Sequence, residues 1–275
     1  MQKSKKTKSI LALSAVAIPA AIAYFLYENN RLTVSRYTFE SGKLPQSFDG
    51  FKIVHLSDLH NKSFGRGNCR LLELIRLQNP DIIVISGDLI DSRHTNKKIA
   101  LDFLRDATEI APVFYTTGNH EDRFPEDEMA EFLRDAEATG ANVLTEHLVT
   151  FYRGDEKIYL CGIADNLRCG ENLKYLMKDT GDSLTLLLSH RPQFGRLYQR
   201  CGADLTFTGH AHGGQMRIGS LSIVSPDQGL FPRYTEGIHH FGDSATVISR
   251  GLGNSLIPTR INNPPEVVVC TLRRK

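Results

Sequence analysis

The feature that most constrains this chain is a rhythm: between residues 51 and 208, apolar runs of five to seven residues alternate with amphipathic segments, and Asp, His or Asn stands just behind several of the runs. Short, continuous Ile/Val/Leu runs suit parallel strands covered on both faces by helices. Strands are expected at 51–56, 81–86 and 112–116, with helices at 71–77, 97–107 and 126–137. This βαβαβα opening gives way to short strands at 142–144, 149–152 and 158–163, a helix at 173–177, and buried strands at 184–189 and 204–208 around a helix at 194–198. Beyond Gly214 the chain is punctuated by Gly and Pro, with strands near Ile218, 221–224, 246–249 and 267–272. No internal repeat or low-complexity linker interrupts it. The reading is an α/β domain over 51–275, with 31–50 joining it to the N-terminal segment and 31–39 a candidate edge strand. An apolar share of 41% suffices for its core, and 23% charged residues exclude a disordered chain.

The polar residues gather at the strand ends. Asp58-Leu59-His60 follows the first strand, Gly87-Asp88 the second, Gly118-Asn119-His120-Glu121 the third, His190 a later one, and Gly209-His210-Ala211-His212 the next. In an open α/β sheet the carboxyl ends of strands converge on one rim, where ligands bind. Imidazoles, carboxylates and an amide from five segments suit two divalent cations, with one carboxylate shared. Asp88 is the natural bridge, because Gly87 before it permits a close backbone approach. Alternation along an extended segment would point Asp58 and His60 the same way, and likewise His210 and His212.

The ordered set resembles the calcineurin-like metallophosphoesterases, over the chain from about residue 50 to its end. The run Gly209-His210-Ala211-His212-Gly213-Gly214-Gln215, with Ser249-Arg250-Gly251-Leu252-Gly253 and Pro264-Pro265-Glu266, is more similar still to the membrane-associated bacterial branch typified by the YkuE and YaeI phosphodiesterases. The resemblance implies a four-layer α/β/β/α sandwich. It implies one metal on Asp58, His60, Asp88 and His212, and a second on Asp88, Asn119, His190 and His210, the ions being Mn, Fe, Zn or Co. A metal-bridging hydroxide would attack phosphorus in line, and His120 would donate a proton to the leaving oxygen or stabilise developing charge.

Other candidates carry weaker signals. His55, His94, His147 and the His239-His240 pair read as structural or solvated. Glu121 either orients His120 or is a helix-start carboxylate, and Arg123, Arg191 and Arg250 lie where they could grip a phosphate. No spacing rule makes Asp91 a ligand. Five cysteines, none in a Cys-x-x-Cys pair, read as buried thiols.

Four of the 33 basic residues and one of the 31 acids lie in residues 1–30, which leaves 29 against 30 beyond. The positive excess therefore belongs to Lys3, Lys5, Lys6 and Lys8, ahead of the uncharged stretch Ile10–Leu26. Seventeen helical residues span about 25 Å, nearly a hydrocarbon core. The segment is either a signal anchor, the preferred reading, or a cleaved signal peptide ending at Ala21-Ile22-Ala23. Both put the catalytic domain outside the cytoplasm, and the anchor would hold it at the cell membrane. The expected function is a membrane-anchored phosphodiesterase acting on a lipid-linked or cell-envelope phosphoester. Alternatives are a UDP-diacylglucosamine-type pyrophosphatase, a nuclease, or a non-catalytic binding module on the same scaffold. The near-neutral domain leads us to expect no nucleic-acid partner.

Overall fold

The computed structural model describes residues 2–165, 169–254 and 259–275, and their side chains except at 2–14, 16 and 169. The rhythm of apolar runs becomes two six-stranded mixed sheets. Helix α1 (Gln2–Asn30) leads into β1 (Thr33–Ser41), followed by β2 (Lys52–Leu56), α2 (Cys69–Arg76), β3 (Ile82–Ser86), α3 (Lys97–Thr108), β4 (Val113–Thr116), α4 (Glu126–Ala138) and β5 (Asn142–Val143). The second half comprises β6 (His147–Arg153), β7 (Glu156–Gly162), α5 (Cys169–Met177), β8 (Thr185–Leu188), α6 (Gly195–Arg200) and β9 (Leu205–Thr208). Four two-residue strands follow, β10 (Arg217–Ile218), β11 (Leu221–Ser222), β12 (Val224–Ser225) and β13 (Gly229–Leu230), and then β14 (Gly237–Phe241), β15 (Ser244–Ile248) and β16 (Glu266–Arg274).

The first sheet has the order β1-β16-β2-β3-β4-β5 and the second β14-β15-β9-β8-β7-β6. β2 through β5 run parallel, as do β7, β8, β9 and β15, so their carboxyl ends share a side within each sheet. Strand residues facing opposite ways serve two cores. Val54, Ile83, Ile85 and Val113 pack under α2, α3 and α4, whereas Ile53, Val84 and Phe114 meet Leu160, Leu186, Leu188 and Phe207 of the second sheet. Leu187 and Cys161 turn outward against α5 and α6. The layers are thus helix, sheet, sheet, helix.

Two strands lie outside the sequence expectation, the two-residue β13 and the longer β14. Gly237-Ile-His-His-Phe241 lacks a buried-strand pattern because β14 is the outer strand of its sheet, paired antiparallel to β15 and only half covered. Cys161, Cys201 and Cys270 are buried free thiols, Cys69 is an exposed one, and the Cys169 side chain lies outside those described.

No helix among the described residues is long and apolar enough to cross a membrane. The membrane segment expected over 10–26 lies partly outside the described side chains. The last turns of α1 are fastened to the sheets' rim. Tyr24 donates from its hydroxyl to Asn262 Oδ1 at 2.7 Å, and Asn254 Nδ2 donates to Asn29 Oδ1 at 2.8 Å.

Candidate metal centre

The carboxyl ends of β2, β3 and β4 in one sheet meet those of β8 and β9 in the other, so the five polar segments converge. His190 fastens the two sheets together, its Nδ1–H donating to the Ser86 carbonyl at the end of β3, 2.7 Å away. That bond turns His190 Nε2 toward Asp88 Oδ2, 3.3 Å away, and although burial would lower this imidazole, Asp88 and Asp58 raise it well above its ordinary value. His60 Nε2 lies 3.5 Å from the same oxygen and 3.9 Å from Asp58 Oδ1, and His212 Nε2 lies 3.5 Å from Asp58 Oδ1.

These spacings suit cations. Two ligands that each stand about 2.0–2.2 Å from one ion lie roughly 3–3.6 Å apart. Asp58, His60, Asp88 and His212 offer ligand atoms all within 4.8 Å of one another, and so do Asp88, His190 and His210. His60 Nε2, His190 Nε2 and Asn119 Oδ1 are buried without a hydrogen-bond partner, a costly arrangement unless something else satisfies them. Burial, only partly offset by Asp88, pushes the His60 imidazole down to about 3 and His212 well below its ordinary value, so both keep a lone pair for a cation. Burial would raise the Asp88 carboxyl, but His190, His60 and His120 pull it well below the usual range. The donor set therefore fits two divalent ions that share Asp88.

The backbone achieves this differently from the expected alternation. Asp58, His60, Asp88, His210 and His212 all have positive φ, from 46° to 64°, so each pair points inward from a left-handed turn rather than from an extended strand. Non-glycine residues held there cost on the order of 1–3 kcal/mol each and persist only where the surroundings over-determine them. Those surroundings are visible. The Asp58 carboxylate accepts the His210 N–H at 3.1 Å, Asp88 Oδ1 accepts the His120 N–H at 2.8 Å, and the Asp58 and His60 N–H groups bond the Gly87 and Asp88 carbonyls at 3.0 Å. The Ser249–Gly253 run lies against this loop, with Gly253 N–H donating to the Asp58 carbonyl at 2.6 Å.

Glu121 opens the short 3-10 turn Glu121–Arg123, as a helix-start carboxylate would, but its side chain bonds backbone groups of the ligand loops and not the His120 ring. It is fully buried, and its two oxygens accept the N–H groups of Asp88, Gly118 and Ile90 at 2.8, 2.8 and 3.2 Å, pinning two ligand loops together. Burial and the neighbouring Asp88 raise its carboxyl to about 8, against the pull of those donors. His120 Nδ1 accepts the Ser92 N–H at 3.1 Å, so its proton resides on Nε2. Burial lowers this imidazole, with Asp88 and Asp91 opposing.

Three further residues belong to the site without a sequence signal. Asp91, dismissed on spacing, has Oδ2 3.6 Å from His60 Nδ1 and Oδ1 3.8 Å from His120 Nδ1. Asp227, in the turn between β12 and β13, accepts from His210 Nε2 at 2.9 Å. Arg93 joins Arg123 and Arg191 around a cavity of about 550 Å³ that also exposes Asp88, Asn119, His120, His210 and His212. Arg191 is held by Asp165 through two bonds, of 2.6 and 2.7 Å, and also meets Asp227. Arg250 is no phosphate grip: it pairs with Glu266 at 3.3 Å and Glu236 at 3.6 Å, away from the cavity. His55 is structural, its Nε2 2.8 Å from Ser86 Oγ inside β2.

The sequence model of the calcineurin-like phosphoesterases matches residues 51–214. Over 271 residues the chain is 28% identical to the uncharacterised metallophosphoesterase YkuE of Bacillus subtilis, covering 96% of this chain and 93% of that protein. It is 29% identical to the phosphodiesterase YaeI of Escherichia coli, over 81% of this chain and 82% of YaeI. A zebrafish (Danio rerio) transmembrane protein with a metallophosphoesterase domain is 29% identical over 84% of this chain, which spans 55% of that protein. Among solved structures, TT1561 of Thermus thermophilus shares the fold, with a TM-score of 0.52 at 14% identity over 74% of this chain and 90% of that one.

Proposed function

This chain belongs to the calcineurin-like phosphoesterase family, metal-dependent hydrolases of phosphoric esters that use two divalent ions, and on that premise we propose that it is a membrane-tethered phosphodiesterase. The observation that carries the site assignment is the set of partnerless buried ligand atoms on His60, His190 and Asn119 around one carboxylate. Asp58, His60, Asp88 and His212 would hold one ion, and Asp88, Asn119, His190 and His210 the other. Bound there, the ions would supply Lewis-acid activation of water and neutralise charge on the phosphoryl oxygens.

The protein's own groups do the rest. His120 carries its proton on Nε2 because Ser92 occupies Nδ1, and it delivers that proton to the leaving oxygen. Arg191, kept rigid by Asp165, orients the phosphoryl group together with Arg93 and Arg123. Asp122, Asp165 and Asp227 stand among these arginines, so a monoanionic diester fits the cavity better than a dianionic monoester. The similarity to YaeI, a phosphodiesterase by name, supports the same choice.

Residues 1–30 form the tether, residues 31–50 lead into the catalytic domain, and residues 51–275 lie outside the cytoplasm. Four lysines ahead of an uncharged stretch support this, as does the name of the zebrafish relative. A lipid-linked or cell-envelope phosphoester is the substrate that such a tether brings within reach. Replacing the shared ligand tests the centre. Asp88→Asn should lose turnover of a chromogenic diester with added manganese and fall below two bound metals per chain, with an unchanged circular-dichroism spectrum. Retained activity overturns the assignment.

A further inference from the structure

Among the described residues, thirteen large hydrophobic side chains are exposed, and ten of them lie on two segments, Ile18–Tyr27 of α1 and Ile218–Phe231. The other three are scattered singly, which is ordinary for a globular surface. The second segment is built inside out. In the β10–β11 hairpin the inward pair is Arg217 with Ser222, 6% and 4% exposed, whereas the outward pair is Ile218 with Leu221, 73% and 48% exposed. In the β12–β13 hairpin Leu230 and the following Phe231 stand out at 71% and 63%. A hairpin facing water would reverse this pattern.

The two segments are bonded to one another. Tyr24 holds Asn262, whose Nδ2 donates to the Arg217 carbonyl at 3.2 Å, one residue from Ile218. Ile223 N–H bonds the Met216 carbonyl, and Phe231 N–H bonds the Ile223 carbonyl, each at 3.0 Å, which links the second hairpin to the first. Both hairpins therefore sit beside the end of the proposed tether. The occupant follows from the shape of the apolar surface. Tyr24, Phe25, Leu26 and Tyr27 are consecutive and all exposed, so they surround the helix instead of forming one stripe. A protein groove covers one stripe; a lipid phase covers every face. Charge agrees, since Asp227 is the acid between residues 216 and 234 and is engaged by Arg191 and His210, while Arg233 is exposed.

Resting on the tether reading above, we propose that the tips of the β10–β11 and β12–β13 hairpins dock into the surface of the bilayer that anchors α1. Because Pro226 and Asp227 of the second hairpin line the catalytic cavity, docking sets the mouth of the site at headgroup depth.

The chain contains no tryptophan, so a single introduced one reports cleanly. Four full-length variants, Phe231→Trp, Ile218→Trp, Tyr24→Trp and Tyr152→Trp, would be reconstituted into vesicles of phosphatidylcholine and phosphatidylglycerol, with and without brominated phosphatidylcholine. The expected result is that the first three lose roughly half their emission on brominated lipid, as residues at an interfacial depth of about 5–10 Å should, and Tyr152→Trp does not. Quenching of Tyr24→Trp with neither hairpin reporter quenched overturns the docking and leaves the tether standing. Absence of quenching at all four positions removes the tether, and the docking with it. Equal quenching at all four, or a hairpin emission that shifts with protein concentration before lipid is added, also overturns the proposal, the latter by making a second copy the occupant.

Discussion

Gly118→Ala should disable the site without unfolding the chain. A Cβ built at Gly118 would stand 2.3 Å from Asp88 Oδ1, 2.7 Å from Asp88 N and 2.9 Å from His190 Cε1, where ordinary contact begins at 3.4 Å. The φ of Gly118 is not in the left-handed region, so backbone conformation does not oppose the change and the contact alone decides. Removing the worst overlap requires about 1 Å of movement by Asp88 Oδ1, which would also strain its bond from His120 N–H. Neither neighbour is the free end of a flexible chain, because Asp88 and His190 are both fully packed. A displacement of about 1 Å at a reacting centre costs roughly 100-fold in rate. Overpacking costs about 1–3 kcal/mol, which a domain with roughly 5–15 kcal/mol of stability survives. The assay pairs turnover of a chromogenic diester with metal content by mass spectrometry and a thermal melt. Gly42→Ala is the control, since nothing lies within 4 Å of its added methyl. Wild-type turnover and metal content in Gly118→Ala would refute the reasoning, as would an equal loss in Gly42→Ala.

His120→Asn should lower turnover by about 10²–10⁴-fold with metal content unchanged, and the loss should shrink as the leaving group becomes more acidic; a loss independent of the leaving group excludes proton donation. Asp227→Ala frees His210 Nε2 from its carboxylate and should weaken metal affinity by about 10–100-fold, read by calorimetric titration of manganese. His55, fully buried, has its imidazole lowered by burial from 6.5 to about 3. The unfolded chain therefore takes this proton first, so the associated stability is complete above pH 6.5 and lost as pH falls towards 3. Between pH 6.5 and 5 that is about 1.6 kcal/mol, the slope rising from half of roughly 1.4 kcal/mol per unit at pH 6.5 towards its full value below. Urea unfolding in chelator should show His55→Phe losing that much less than the parent over the same interval, and equal losses would exclude His55 as the source.

The strands and the rim were legible because both rest on short-range pattern. Ile82–Ser86 or Leu205–Thr208 can hardly be anything but buried strands, and the polar residues behind them must then sit at strand ends. The left-handed turns at Asp58, His60, Asp88, His210 and His212 were not legible, because the adjoining loops impose them through the Gly87, Asp88 and Asp58 bonds. Asp91 escaped for a related reason: it reaches His60 from another loop, and no spacing within one segment encodes that approach. Glu121 shows the converse, a residue read correctly at the start of its helical turn whose carboxylate serves more than that turn. Its carboxylate turns toward the N–H groups of Asp88, Gly118 and Ile90, two of them some thirty residues away, a reach that no local pattern encodes.

By itself, then, the order of residues determined which side chains could be ligands, since the apolar runs settle where each strand stops and the next residue is free to face a rim. Tertiary structure alone decided which of those side chains share an ion-sized space, and that Arg250 leaves the site while Asp227 enters it. The reason is range. Strand pattern is written in neighbours a few residues apart, whereas the centre is closed by contacts such as His210 to Asp58, 152 residues apart, and His190 to Ser86, 104 apart, which exist only once the two sheets have packed.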